Sequence, residues 1–187
     1  FPRLATHAIF EIKDTKTQFI VVNCHFDHKS SEARKNSAFI LIKTLKKLIP
    51  NEFEKLPILL MGDFNEAPFT EGYNYLISEG FSSILENCSH KFEIFKCSFH
   101  YYYGKIVENF LVRIGLFFGF KYHSGVFPKF DNYHIDWILE KNGNNSKIVN
   151  LLFHMPSDDI DSDGIYASDH FPLFAKIEIK ENNSKYI

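Results

Sequence analysis

Little in this 187-residue chain announces a partner or a compartment. Its 21 basic and 23 acidic residues leave a formal charge of −2, so no global field marks it for nucleic acid or an anionic membrane, and any polyanion has to be gripped locally. Cysteine is scarce: Cys24, Cys88 and Cys97 are odd in number and lack CxxC spacing. That fits neither a disulfide framework nor a zinc knuckle, and the thiols are expected to be buried as small hydrophobes. No run reaches the roughly 18 apolar residues of a spanning helix; the most apolar, FLVRIGLFFGF over 110–120, is interrupted by Arg113. There is no initiator Met and no charged run leading into a long apolar stretch, so no signal peptide is expected and Phe1 reads as an interior start. Repeats and low-complexity linkers are absent too, and no localisation follows.

What is present is a chain with 45% apolar residues, enough for one sizeable core and too short for a second full domain. ATHAIFEI and QFIVVNCHF are β-branched-rich runs separated by KDTKT, the pattern of an antiparallel hairpin. In SSEARKNSAFILIKTLKKLIP, Ala38, Ile42, Leu45 and Ile49 recur at helical spacing, with Ser30 or Ser31 as N-cap and Pro50 as the stop. A strand over Ile58–Met61 follows, then a short helix over Thr70–Glu79 closed by Gly80. HIDWILE and FPLFAKIEIK return to strand, the latter placing Leu173, Ala175, Ile177 and Ile179 on one face. The fold class expected is α/β or α+β, in layers.

Polar clusters interrupt these apolar elements at their ends: NCHFDH, MGDFNEAP, HIDWIL and ASDHFP. Groups at strand ends on a packed sheet are held rigidly, and Gly62 permits a backbone conformation or approach that a side chain would block. The residue types form one chemical set. Asp63 and Asp169 offer hard oxygens suited to Mg²⁺ or Mn²⁺, His25 and His170 can serve a phosphoryl oxygen, Asn65 can orient a nucleophile, and Asp136 can orient an imidazole. Each has a plainer role when taken alone: an Asp-Asn pair after a strand caps turn amides, and Asp136 can satisfy backbone N–H groups. The His25/His28 spacing is a poor zinc site, because a third protein ligand is not evident.

In order and spacing these four clusters resemble the endonuclease/exonuclease/phosphatase superfamily, the DNase I-like fold, the pairing of GDFN with a later SDH being the specific part. The resemblance covers roughly residues 3–179 and only the C-terminal part of that fold. It implies a four-layer sandwich of two packed mixed sheets with outer helices, its N-terminal part missing. Residues 1–180 would then be a single partial domain and 181–187 a polar tail. It implies a Mg²⁺- or Mn²⁺-dependent phosphoester hydrolase acting on nucleic acid, phospholipid or inositol phosphate. Carried onto this chain, His25 contacts the scissile phosphate, Asp63 and Asn65 align the attacking water, Asp169 ligates the metal, and His170, oriented by Asp136, serves the phosphate. His28 and Arg34 lie outside the family's core catalytic set and are the candidate substrate contacts, with an ion pair near the helix start as the favoured role for Arg34 and a phosphate contact as the other.

Two departures from the family pattern stand out. Its early-strand Asn and its metal-ligating Glu precede the region matched here, so the other half of the domain is expected in a longer parent chain. The competing expectation is an inert fragment or binding domain derived from the family. The segment over 106–133 is longer and more aromatic than the usual connection, and either covers the sheet or shapes substrate choice by stacking on bases or inserting into a lipid interface.

Overall fold

The computed structural model describes residues 2–92, 98–100, 102, 134–156 and 165–182. The aromatic 106–133 segment, Cys97 and positions 183–187 of the tail lie outside the described residues.

The hairpin forms as expected: β1 (Ala5–Glu11) pairs antiparallel with β2 (Gln18–His25). Helix α1 (Ser31–Leu48) follows, with the Ser30 hydroxyl as N-cap accepting the Ala33 N–H at 3.1 Å. That cap satisfies one of the four amides a helix start leaves open, and Ala38, Ile42 and Leu45 form the buried stripe. A short turn, α2 (Glu52–Lys55), leads into β3 (Ile58–Asp63), which lies parallel to β2, so α1 is the crossover of a βαβ unit. Helix α3 (Glu71–Ser78) packs on α1, and Gly80 ends it at a left-handed φ of 91°.

The remaining described elements are β4 (Ser82–Ser83), α4 (Ile84–Asn87), β5 (His90–Phe92), β6 (Asp136–Lys141), β7 (Ser146–His154) and β8 (Phe174–Glu181). They complete a five-stranded sheet, β1-β2-β3-β6-β4, and a three-stranded sheet, β5-β7-β8. Both are mixed, and helices α1 and α3 cover one face of the larger while the smaller sheet faces the other, giving the α/β architecture anticipated.

β3 explains its own composition. Ile58 and Leu60 point into the core beneath the helices with Ile20, Ile42, Leu76 and Trp137, whereas Leu59 belongs to the core between the sheets with Ile148, Phe153 and Phe171. A strand buried on both faces has no polar alternation to display. The two sheets are also tied by one polar pair. Glu140 on β6, 4% exposed, accepts a hydrogen bond at 2.6 Å from the Nδ2 of Asn150 on β7, 7% exposed, and another at 3.2 Å from Asn87. Sequence signals do not single out β7, because Asn150 interrupts its apolar pattern and a bulge between Asn150 and Leu152 shifts its register.

Candidate active site

Three strands of the larger sheet end side by side. In the β2–β3 ladder His25 is the partner of Asp63, and in the β3–β6 ladder Asp63 is the partner of Asp136. Sheet register alone therefore lines up an imidazole and two carboxylates from segments 38 and 73 positions apart. At the neck of this row, Gly62 adopts φ 136°, and a Cβ there would run into the Cys24 carbonyl. Only glycine allows β3 to lie this close to β2 just before Asp63.

Beyond Asp63 the chain turns sharply. Asn65 sits at a left-handed φ of 49°, a conformation asparagine tolerates better than most residues. Its backbone N–H donates to Asp63 Oδ1 at 2.7 Å, and its Nδ2 donates to the Phe26 carbonyl at 3.1 Å and to Asp63 Oδ2 at 3.2 Å. Asn65 thus fixes the carboxylate of Asp63 and joins the loop after β3 to the loop after β2.

The last cluster folds back onto this row. His170 Nδ1 meets Asp136 Oδ2 at 2.7 Å, and the His25 Nε2 to Asp63 Oδ2 distance is 3.4 Å. Ligand atoms of Asp63, Asp136 and His170 all lie within 4.8 Å of one another. Burial and the neighbouring Asp136 charge push the Asp63 carboxyl up, more than its bond from the Asn65 amide and the two imidazoles pull it down. Burial lowers His170, but its hydrogen bond to Asp136 and the charges of Asp136, Asp63 and Asp169 outweigh this and leave it raised. Cys24, beneath the row, is pushed up to about 12 by burial and then by the Asp63 charge, which makes it an inert thiol.

Two like-charged carboxylates beside a raised imidazole form a set that a hard cation would relieve, so the residues present fit a divalent ion. Asp169 is not in the group of three; its carbonyl accepts the His100 N–H at 2.7 Å, and its charge reaches His170.

The two outlying residues behave differently. His28 is half-buried three positions past β2, and its Nδ1 lies 2.8 Å from Nη2 of Arg3. Burial, then the Arg3 charge, lowers its pKa. Arg34 is buried at 7% exposure, where its Nη1 donates to the Asp27 carbonyl at 3.0 Å and its Nε lies 3.8 Å from the buried Glu66 carboxylate. Those contacts join the start of α1 to the loops after β2 and β3.

Sequence reasoning passed over several residues of the neighbourhood. Glu66 holds Arg34, and its carbonyl accepts the Trp137 indole N–H at 2.9 Å. Arg3 stands beside His28. Ser98 and His100 belong to a short strap next to His170. A lone serine or arginine carries no spacing signal. The only hint at Ser98 is its place just ahead of an aromatic run.

No protein-family model and no curated protein matches the chain. Solved structures do. An endonuclease/exonuclease/phosphatase family protein from Bacteroides thetaiotaomicron superposes with a TM-score of 0.68 at 23% identity, over 95% of this chain and 56% of that one. This is the endonuclease/exonuclease/phosphatase fold. A mannosyl-6-phosphatase of the same organism gives the same TM-score and identity, over 96% of this chain and 57% of that one. The beta toxin of Staphylococcus aureus, solved with bound magnesium ions, matches at TM-score 0.58 and 11% identity, over 92% of this chain and 57% of that one. The chain accordingly spans little more than half the length of the endonuclease/exonuclease/phosphatase-fold structures it matches, and at these identities the likeness concerns the fold.

Proposed function

We propose that the chain is the C-terminal part of a Mg²⁺- or Mn²⁺-dependent phosphoester hydrolase. The observation that carries this reading is the convergence of Asp63, Asp136 and His170 within 4.8 Å, with His25 beside Asp63. With Nδ1 committed to Asp136, His170 has Nε2 left to donate to a phosphoryl oxygen, and its raised pKa keeps that proton in place. Asp63, pushed toward the range in which a carboxylate can take a proton, accepts one from the attacking water, and Asn65 holds it in position. The exposed His25 contacts the phosphate from the other side of Asp63, and His28 contributes at the rim. Asp169 is the carboxylate assigned to the metal, which when bound would supply positive charge against the negative charge on the phosphoryl oxygens.

The substrate is a phosphodiester or phosphomonoester of a nucleic acid, phospholipid or inositol phosphate. The chain's near-balanced charge leaves recognition to local contacts.

The remainder of the domain belongs, in this proposal, to a longer parent. β1 is an edge strand exposed along all seven residues, with Leu4, Ile9 and Phe10 at the surface. A groove of about 460 Å³ between β1 and α1 is lined by Leu4, Ala5, Ile40, Leu41 and Leu48. An open edge and apolar face of this kind invite further strands. The span of about 56% of the matched structures favours a second outcome for the chain by itself, binding without turnover.

The test is a comparison of the chain and its longer parent on a bis-nitrophenyl phosphodiester, DNA, RNA and sphingomyelin, with Mg²⁺ and with EDTA. The parent should turn over at least one substrate, lose activity with EDTA, and drop by about 10²-fold or more with Asp63→Ala or His170→Ala. Near-full activity in His170→Ala would overturn the mechanism.

A further inference from the structure

The carboxylate and imidazole of the Asp136–His170 pair come from segments that do not pair with each other in either sheet, yet they meet at 2.7 Å. Three residues between them account for this. Ser98 is fully buried, and its hydroxyl oxygen accepts two consecutive backbone N–H groups, from Ile135 at 2.9 Å and Asp136 at 3.0 Å. Its carbonyl accepts the N–H of Phe171 at 2.7 Å. Phe99 forms a β-bridge with His170, with ring centroids 4.8 Å apart. His100 donates its N–H to the Asp169 carbonyl, hydrogen-bonds the His170 backbone through its ring, and packs that ring on Phe171 at 4.2 Å and Tyr166 at 4.8 Å.

One end of this strap thus holds the backbone at the start of β6 through a single side-chain oxygen, and the other holds the loop bearing His170. On the opposite side the Ile135 carbonyl accepts the Phe64 N–H at 2.9 Å, tying the second of those peptides to the Asp63 turn. An amide acceptor at Ser98 is structurally costly to lose, because two buried donors would be stranded together.

We infer that Ser98 is a positioning residue for the Asp136–His170 pair. It sets where the carboxylate stands while its own carbonyl and its neighbours in the strap hold the loop that bears the imidazole, so one short strap fixes both halves of the pair at once. It touches neither phosphate nor metal. This inference rests on the proposed hydrolase reading for its effect on rate, and on the geometry alone for its effect on the pair.

Two measurements separate those supports. The first is the Nδ1 proton of His170 observed by NMR in the metal-free chain: hydrogen-bonded to Asp136, it should be a protected, downfield resonance. Ser98→Ala should abolish or broaden that resonance, whereas Leu76→Ala, a core substitution on the buried face of α3, should leave it in place. The second is steady-state kinetics of the parent with Mg²⁺ on a bis-nitrophenyl phosphodiester. Ser98→Ala should lower kcat on the order of 10- to 100-fold with KM nearly unchanged, and Leu76→Ala should lower neither at a temperature where both variants are folded.

A folded Ser98→Ala protein that keeps the resonance, or keeps kcat in an active parent, overturns the inference. A parent inactive on every phosphoester, in which Ser98→Ala still removes the resonance, sinks the hydrolase reading and leaves the positioning role standing. Should Ser98→Ala not fold, His100→Phe loosens the strap at its other end, and an unaltered His170 resonance there overturns the inference equally.

Discussion

Replacing Glu140 by glutamine should make the protein more stable at alkaline pH and leave it unchanged in mild acid. Glu140 and Asn150 join the two sheets through one short hydrogen bond, Nδ2 to Oε1 at 2.6 Å, while the other atoms of the same two groups, Glu140 Oε2 and Asn150 Oδ1, are buried without a partner among the described residues. Both of those atoms are acceptors when the carboxyl is ionised. A proton on Oε2 would let it donate to Oδ1 and close a cyclic acid–amide pair. Burial pushes the Glu140 carboxyl up, against the lowering effect of the bonds from Asn150 and Asn87. With the folded value above the unfolded one, the contribution to stability is complete below the ordinary glutamate pKa and is lost as pH rises through the folded value.

The loss amounts to one buried hydrogen bond with its acceptors stranded, about 2 kcal/mol. For a chain of this length that is roughly 4–8 °C in Tm. Glutamine has the same shape and carries the missing hydrogen permanently, its Nε2 donating to Asn150 Oδ1 and its Oε1 receiving the two amides. Thermal melts of both proteins from about pH 5 to about pH 8.5 cancel the titrations they share, so the Tm difference reads Glu140 alone. It should open with rising pH in favour of Glu140→Gln. A difference flat in pH, or a Glu140→Gln protein less stable at the alkaline end, would mean that the carboxylate is ionised and held by the asparagines, and would refute the reasoning.

Two further outcomes follow from backbone and surface. Gly62→Ala forces a Cβ against the Cys24 carbonyl at a φ of 136°, and should cost about 3 kcal/mol or more, seen as a Tm lower by roughly 6–12 °C; a drop below about 2 °C would show that β2 and β3 can separate freely. The exposed β1 edge should make the chain self-associate as concentration rises in sedimentation velocity, and Phe10→Lys, at a position 49% exposed, should suppress this without lowering Tm; unchanged association would move the contact elsewhere.

How much of this is legible in a sequence depends on the range of the interaction that carries it. The β1–β2 hairpin, the α1 stripe of Ala38, Ile42 and Leu45, and the alternation of β8 are local patterns, and they read correctly. His25, Asp63, Asp136 and His170 stood out because strand signals end in polar clusters there. That the first three are direct neighbours across a ladder was not legible, since register is set by pairing between distant segments. Arg34 left a choice between phosphate and ion pair that only burial informs, and it lies against Glu66 and Asp27. β7 was hidden by its bulge, Glu140 because a charged residue late in a strand looks solvent-facing, and Ser98 because hydroxyl acceptance of two amides has no sequence signature.

The alignment of His25, Asp63 and Asp136 across adjacent strands means that the chemistry inherits its tolerances from the backbone ladder. Deleting any one residue between Ile58 and Met61 would not simply shorten a strand. It would rotate Asp63 to the opposite face, move the leucine that remains into the other's layer, and dismantle the site and both cores in a single step.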